Sequence, residues 1–409
     1  MEFAIAADHV FDGTMLRHHC AVVIEASRIR AVMRRDELPA AIPSHHLPRG
    51  AWLVPGFIDT QVNGGGDVLF NEDPSPRGIA AIAAAHRRFG TTALLPTLLS
   101  DTPEKMRAAR DAIEAAAGVD PSVIGLHYEG PFLSPDKAGV HDRGMLRRPE
   151  PGDFELLAPL RSGVILVTLA PEQVPLGFIA QLAGAGVRVS LGHSMATYAQ
   201  TRAALSEGLT GFTHLFNAMR PLASREPGPI AAALEEPGAR FGMIVDGEHV
   251  SPAMLRLALR GAAKAMLVTD AMPPVGGTSK SFRLYGQPIT ACGGRCATPD
   301  GTLAGSVLDM ASAVRNCVRM LDLPLTEALP LATTVPAAFL GIDGWLGHLA
   351  SGYRADMVAI DPDTVDVFAT WVAGTSVTVW QTPGCGEILL GQRGHLLGDH
   401  AARNTEPEQ

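Results

Sequence analysis

Side chains able to hold a metal or move protons recur just past a series of apolar runs in this chain: Asp59 with Gln61 and Asn63, Thr97, His127 with Glu129, Glu172, His193, His214, Asp246 with His249, and Asp270. Carboxylates and imidazoles serve two chemistries, divalent-metal ligation and general acid–base transfer. Glu129, His193 and His214 offer one carboxylate and two imidazoles from three separate strands. Three N/O ligands with an open fourth position is the layout of a catalytic Zn²⁺ or similar divalent site. Taken alone, each of these residues reads as a hydrogen-bonded rim residue; as a set on strands that converge on one axis, they read as a site. His127 lies two residues before Glu129 and so on the same strand face, an interior group behind the ligands or a spare ligand. Asp246 and Glu248 read as loop caps or as partners that orient His249.

Positioning such a set needs strands whose ends meet. Eight apolar runs of strand character supply them: Trp52–Ile58, Thr92–Pro96, Val123–His127, Val164–Leu169, Val187–Leu191, Gly211–His214, Phe241–Val245 and Ala265–Val268. Between them lie stretches of helical spacing such as Gly78–Phe89, Pro103–Ala117, Thr197–Glu207 and Pro252–Lys264. Strands apolar on both faces, alternating with helices, require a parallel sheet covered by helices, and eight repeats predict a closed (β/α)₈ barrel. The catalytic groups of such barrels gather at the carboxyl ends of the strands, where the polar residues above stand. The flanks are short strands and turns. We therefore expect an α/β fold, with a barrel over residues 55–344 inserted in a small β-sandwich domain built from residues 1–54 and 345–409.

Composition narrows the function. Of 409 residues, 18% are charged, below the roughly 25% usual for soluble domains, which predicts extensive burial and is compatible with subunit contacts. The net charge of −9 and the lack of basic runs argue against a nucleic-acid or anionic-membrane partner. No apolar run approaches a membrane span, and the amino terminus does not read as a signal peptide. Five sparse cysteines predict a reducing cytoplasm. Cys292-Gly-Gly-Arg-Cys296 reads as a hairpin turn ahead of half a zinc site, since no second pair stands at a suitable distance.

The stretches Pro55-Gly-Phe-Ile-Asp59, His127-Tyr-Glu-Gly-Pro131, Leu191-Gly-His-Ser194, Thr213-His-Leu-Phe-Asn-Ala-Met219, Asp246-Gly-Glu-His249 and Val268-Thr-Asp-Ala271 carry a resemblance. In this order, from about residue 52 to 310, the chain resembles the N-acetylglucosamine-6-phosphate deacetylases of the amidohydrolase superfamily. Gly352-Tyr-Arg-Ala-Asp356 is similar to that superfamily's return into its β-sandwich. The resemblance implies Glu129, His193 and His214 as metal ligands, Asp270 as the acid/base, and His141 as the group that contacts the substrate amide and stabilises the oxyanion. It implies Val140, His141, Asn217, Ala218 and His249 as substrate contacts, Arg225 as the holder of the 6-phosphate, and Leu303, Ala304 and Gly305 as a loop closing over the sugar. Many amidohydrolases have His-x-His after the first strand; this chain has Gln61-Val62-Asn63. Amides are poor zinc ligands, and the resemblance implies one divalent ion per subunit, zinc first and Fe²⁺ or another divalent ion as alternatives, with Gln61, Asn63 and His127 behind it or at a weak second position.

The implied reaction is metal-dependent hydrolytic deacetylation of N-acetylglucosamine 6-phosphate, a small amino-sugar phosphate, by a cytoplasmic homodimer. An N-acetylgalactosamine-6-phosphate enzyme would use the same groups. Two other classes compete. Gly192-His-Ser194-Met-Ala196 nearly matches a nucleophile elbow and Asn63-Gly-Gly-Gly66 imitates an oxyanion loop, so a serine hydrolase would use Ser194 with a later Asp and His348, His395 or His400. A non-catalytic barrel scaffold would leave the whole acid–base set without a role.

Overall fold

The computed structural model describes residues 2–379. The predicted 380–409 part of the terminal domain, with Cys385, His395 and His400, lies outside the described residues. Eight parallel strands form one sheet in chain order: Phe57–Val62, Thr91–Leu99, Gly125–Glu129, Val164–Leu169, Arg188–Leu191, Gly211–Phe212, Arg240–Met243 and Lys264–Leu267. The second of these is buried at every residue, as a strand enclosed between a barrel interior and a helical coat must be. The ring closes at a seam between the first and last strands. Val62 bridges to Ala271, the Asp270 N–H donates to the Gln61 carbonyl at 3.0 Å, and the Asn63 N–H donates to the Ala271 carbonyl at 3.0 Å.

The first barrel strand departs from expectation. The run Trp52–Ile58 is two strands joined at Gly56. Trp52–Pro55 pairs with Met357–Ile360 and with His9 and Val10, and only Phe57 onward enters the barrel. A Cβ on Gly56 would lie 2.1 Å from Thr92 Oγ1, so the crossing needs glycine. The helices begin where side-chain caps allow: Ser75, Thr102 and Asp309 each accept from a first-turn N–H, and Thr197 makes a capping box with Gln200. The expected helix Pro252–Lys264 ends at Ala258, and Lys264 opens the last barrel strand.

Both chain ends meet in one eight-stranded sheet, in which Glu2–Phe11, Leu16–Glu25 and Arg28–Arg34 form a meander and Met357–Ile360, Val367–Val372 and Thr375–Val379 join across Trp52–Pro55. One face packs Ile5, Val22, Ile24, Leu53, Met357 and Trp371 together. Past the eighth barrel strand stands an element of which the sequence disclosed only one turn. Ser281–Leu284, Gln287–Cys292, Arg295–Ala297 and Leu303–Ser306 form a four-stranded antiparallel sheet, whose Gly293-Gly294 turn (φ +61° and +90°) is the expected hairpin between the two cysteines. Its last strand is pinned to the barrel rim, with Ser306 N donating to the Asp270 carbonyl at 2.9 Å and Met272 N to the Ser306 carbonyl at 3.0 Å. Leu303, Ala304 and Gly305 thus lie on a strand, where a loop was expected.

Candidate active site

Glu129 ends the third barrel strand, and His193 and His214 follow the fifth and sixth. The parallel register brings all three to one rim, where they are 2%, 6% and 4% exposed. His193 Nε2 and His214 Nε2 each stand 3.0 Å from Glu129 Oε1 and 3.1 Å from each other. The Lys137 carbonyl, which can only accept, lies 2.7 Å from His193 Nδ1, so that nitrogen carries the ring proton and Nε2 of the neutral ring presents a lone pair. Electron-pair donors that converge at 3 Å repel unless a positive charge lies among them. The set fits a divalent cation, and it is the one cluster of this kind among the described residues. Burial pushes the Glu129 carboxyl up, but the close His193 and His214 imidazoles outweigh it and hold it well below the usual carboxylate range.

Backbone conformation aims these side chains. His193, His214 and Asp270 have φ of +48°, +33° and +51°, in the left-handed region that non-glycine residues seldom enter, and Phe216 and Ala218 join them at +80° and +49°. Asp270 stands beside the cluster as the eighth-strand residue at the rim. Its Oδ1 accepts from Asn63 Nδ2 at 2.6 Å and from Gln61 Nε2 at 3.1 Å, and the same Gln61 nitrogen donates to Glu129 Oε2 at 3.1 Å. Gln61 and Asn63 therefore spend their amide donors on the two carboxylates and leave the ligand cluster to Glu129, His193 and His214. Burial, then repulsion by Glu129, pushes the Asp270 carboxyl up to about 6.

Behind this rim lies a buried polar chain. His127 Nε2 is 2.7 Å from Thr168 Oγ1, which is 2.6 Å from Thr213 Oγ1, and Thr213 donates to Ser190 Oγ at 2.8 Å. Burial holds the His127 imidazole down to about 4, so it stays a neutral member of that chain and apart from the ligands. Asp59 is deeper still. It accepts from the Gln61 N–H at 3.1 Å and the Thr269 hydroxyl at 2.5 Å, and burial lifts its carboxyl to about 7 from an ordinary 3.8. The unfolded chain sheds this proton near pH 3.8 while the folded chain keeps it to about 7, so folding takes up a proton across that window. Relative to Asp59→Asn, wild-type stability is expected to fall as pH rises through the window and to level off above it. Urea unfolding of both proteins at the two ends checks this; a pH-independent difference would refute it.

A cavity of about 370 Å³ opens over the cluster. Of the expected substrate residues, Val140, His141, Asn217, Ala218, His249 and Leu303 line it, together with Lys137, Asp270, Met272 and Thr302. Ala304 is fully buried under the floor, and Gly305 (φ +64°) packs where a Cβ would come within 2.7 Å of the Asp270 carbonyl oxygen. Asp246 fills both of its expected roles: Oδ1 accepts the Glu248 and His249 N–H groups, and Oδ2 accepts from His249 Nδ1 at 2.6 Å. Burial, then the neighbouring His193 imidazole, drives the His141 imidazole down to about 3. Arg225 does not line the cavity; it is exposed on the 221–225 loop. Lys137, which was not among the expected substrate residues, does line it, and its place four residues before His141 was the signal that could have marked it. A larger, more open cleft of about 560 Å³ beside the chain-end sheet, lined by Asp12, Arg17, Arg30 and His348 among others, holds no ligand cluster among the described residues.

Among the described residues the serine-nucleophile geometry is not there. The Ser194 hydroxyl donates to Glu172 Oε2 at 2.7 Å and accepts from the Ala196 N–H at 2.9 Å, so it caps a turn. His348 lies at the other cleft.

The amidohydrolase family model matches residues 52–381, most of the chain. The chain belongs to the amidohydrolase family. Within it, the chain is 41% identical to an N-acetylgalactosamine-6-phosphate deacetylase of Shewanella sp. (strain ANA-3) over 91% of this chain and 96% of that one. It is 33% identical to an N-acetylglucosamine-6-phosphate deacetylase of Haemophilus influenzae, over 91% and 99%. Among solved structures, the N-acetylglucosamine-6-phosphate deacetylase of Pasteurella multocida superposes with a TM-score of 0.88 at 32% identity, covering 91% of this chain and 99% of that one. The α/β architecture, with a near-closed eight-stranded barrel and sheet from the chain ends, is the amidohydrolase fold.

Proposed function

We propose that this amidohydrolase removes the acetyl group of N-acetylglucosamine 6-phosphate, giving glucosamine 6-phosphate and acetate. The observation that carries this reading is the convergence of Glu129, His193, His214, Asp270 and His141 on one cavity. A divalent ion held by Glu129, His193 and His214, zinc as the first expectation, supplies Lewis acidity to the attacking water and the acyl oxygen when bound. Asp270 accepts the proton of that water as its oxygen adds to the acyl carbon, and returns it to the nitrogen as the C–N bond breaks. A carboxyl lifted toward neutrality suits both halves of that exchange. His141 donates to the acyl oxygen as negative charge gathers there. Gln61 and Asn63 hold Asp270 in place, which favours proton transfer in one geometry.

Asn217, Ala218 and His249 are proposed to grip the sugar, with Val140 and Leu303 packing against it. Arg225 would take the phosphate from the exposed 221–225 loop, where an arginine fork suits a phosphate dianion. The low share of charged residues and the sparse cysteines support a cytoplasmic homodimer.

The galacto-configured substrate is the second reading, favoured by the Shewanella relative's name. A steady-state comparison of the two 6-phosphates, with metal content measured on the same sample, decides between them. We expect kcat/KM at least about tenfold higher for the gluco epimer, a difference of about 1.4 kcal/mol in transition-state binding. The reverse ranking would transfer the assignment to the galacto epimer. Acetate release from neither would sink the deacetylase reading.

A further inference from the structure

Ser100, just beyond the end of the second barrel strand, is held from two sides. Asn71 brackets the neighbouring Leu99, its Nδ2 donating to the Leu99 carbonyl and its Oδ1 accepting the Leu99 N–H, both at 3.0 Å. The Ser100 carbonyl accepts the Tyr285 hydroxyl at 2.6 Å. Tyr285 (φ +50°) occupies, with Gly286, the tight turn of the first hairpin of the antiparallel sheet, so this contact joins that sheet to the barrel rim.

The Ser100 N–H and hydroxyl meet His141, and the hydroxyl also donates to the Glu129 carbonyl at 3.4 Å. The Ser100 N–H donates to His141 Nδ1 at 3.3 Å, and Ser100 Oγ lies 2.9 Å from the same nitrogen. Gly130 keeps room for that hydroxyl, since a Cβ there would stand 2.1 Å from Ser100 Oγ. A backbone N–H can only donate, so Nδ1 must be the accepting nitrogen of the ring. The neutral imidazole then has one place for its proton, Nε2; the other tautomer would set N–H against N–H. His141 lines the cavity with its ring edge-on to His193, the centroids 4.6 Å apart.

We propose that Ser100 and Tyr285 are positioning residues that hold His141 as an Nε2–H donor toward the acyl oxygen, Tyr285 acting through the Ser100 carbonyl. The proposal rests on the deacetylase reading for its kinetic consequence. It also accounts for the antiparallel sheet, whose docked hairpin sets the donor in place. An imidazole in the other tautomer would turn a second lone pair toward the developing oxyanion, which is repulsive.

The test uses the zinc-loaded enzyme labelled with ¹⁵N-histidine. Long-range proton–nitrogen correlation reports the tautomer of each ring, and the His141 signal is assigned as the one lost in His141→Gln. We expect His141 in the Nε2–H form in the wild type. Tyr285→Phe, which keeps the ring and removes only the hydroxyl, is expected to admit the Nδ1–H form and to lower kcat by roughly tenfold with KM within about twofold, whereas Ser100→Ala, which keeps the N–H that donates to Nδ1, is expected to leave His141 in the Nε2–H form. In the His141→Gln background, Tyr285→Phe should cause no further loss. A wild-type His141 protonated on Nδ1, an unchanged kcat in Tyr285→Phe, or the same fold-loss with His141 already replaced would each overturn the proposal. If no variant and no wild-type sample releases acetate, the deacetylase reading fails, while the tautomer readout still decides the positioning role.

Discussion

Asp270→Asn is expected to lower acetate release by at least about a thousandfold while the metal stays bound. The substitution is nearly isosteric, and the asparagine carbonyl can still accept from Asn63 Nδ2 and Gln61 Nε2, which meet Asp270 at 2.6 and 3.1 Å. What it removes is the ability to take and return a proton. Asp270 is outside the converging ligand atoms, so metal content should match that of the wild type. Acetate assays and metal analysis on one preparation check both halves. A variant that keeps a tenth of wild-type kcat would refute the acid/base role.

Glu129→Gln is expected to lose metal and activity together. Glu129 Oε1 is the vertex shared by both imidazole contacts at 3.0 Å, and it is the anion of the set. An amide in its place is a poor partner for zinc and removes the negative charge that offsets the cation. Activity should drop by at least about a thousandfold, the size of losing an activated water. Treatment of the wild type with a chelator should have the same effect, reversed by Zn²⁺ or Fe²⁺. Protons compete for the same lone pairs: burial draws the His214 imidazole down, yet Glu129 outweighs that and raises it, so metal affinity should weaken as the solution is acidified. Full metal occupancy in Glu129→Gln, or chelator-resistant turnover, would overturn the assignment.

The barrel was legible because its strands are buried on both faces and so read as unbroken apolar runs, as Thr91–Leu99 does. The ligands were legible for a related reason: a polar residue that ends such a run is placed at the rim by the register alone. The antiparallel sheet was not. Ser281–Leu284 and Gln287–Cys292 are mostly exposed, with single buried residues at Leu284 and Ile289, and a half-solvated hairpin carries too little apolar pattern to be told from loop. Nor does sequence reveal the left-handed backbone at His193, His214 and Asp270, since no glycine marks it. Asn217 and Ala218 reach the cavity, whereas Arg225 is exposed on the 221–225 loop, so its proposed phosphate role rests on the motif alone. Ser100 and Tyr285 are 185 residues apart in sequence, and only tertiary docking makes them partners.

The seam of the barrel does more than close the ring. Its contacts run through Gln61, Asn63, Asp270 and Ala271, so the backbone of the proposed proton carrier is also a rivet of the cylinder. Where scaffold and reacting groups are separate, one can loosen without disturbing the other, and damage to each can be told apart. Here the joint and the reacting groups share residues, which ties the integrity of the whole cylinder to the same few positions that selection for turnover would preserve.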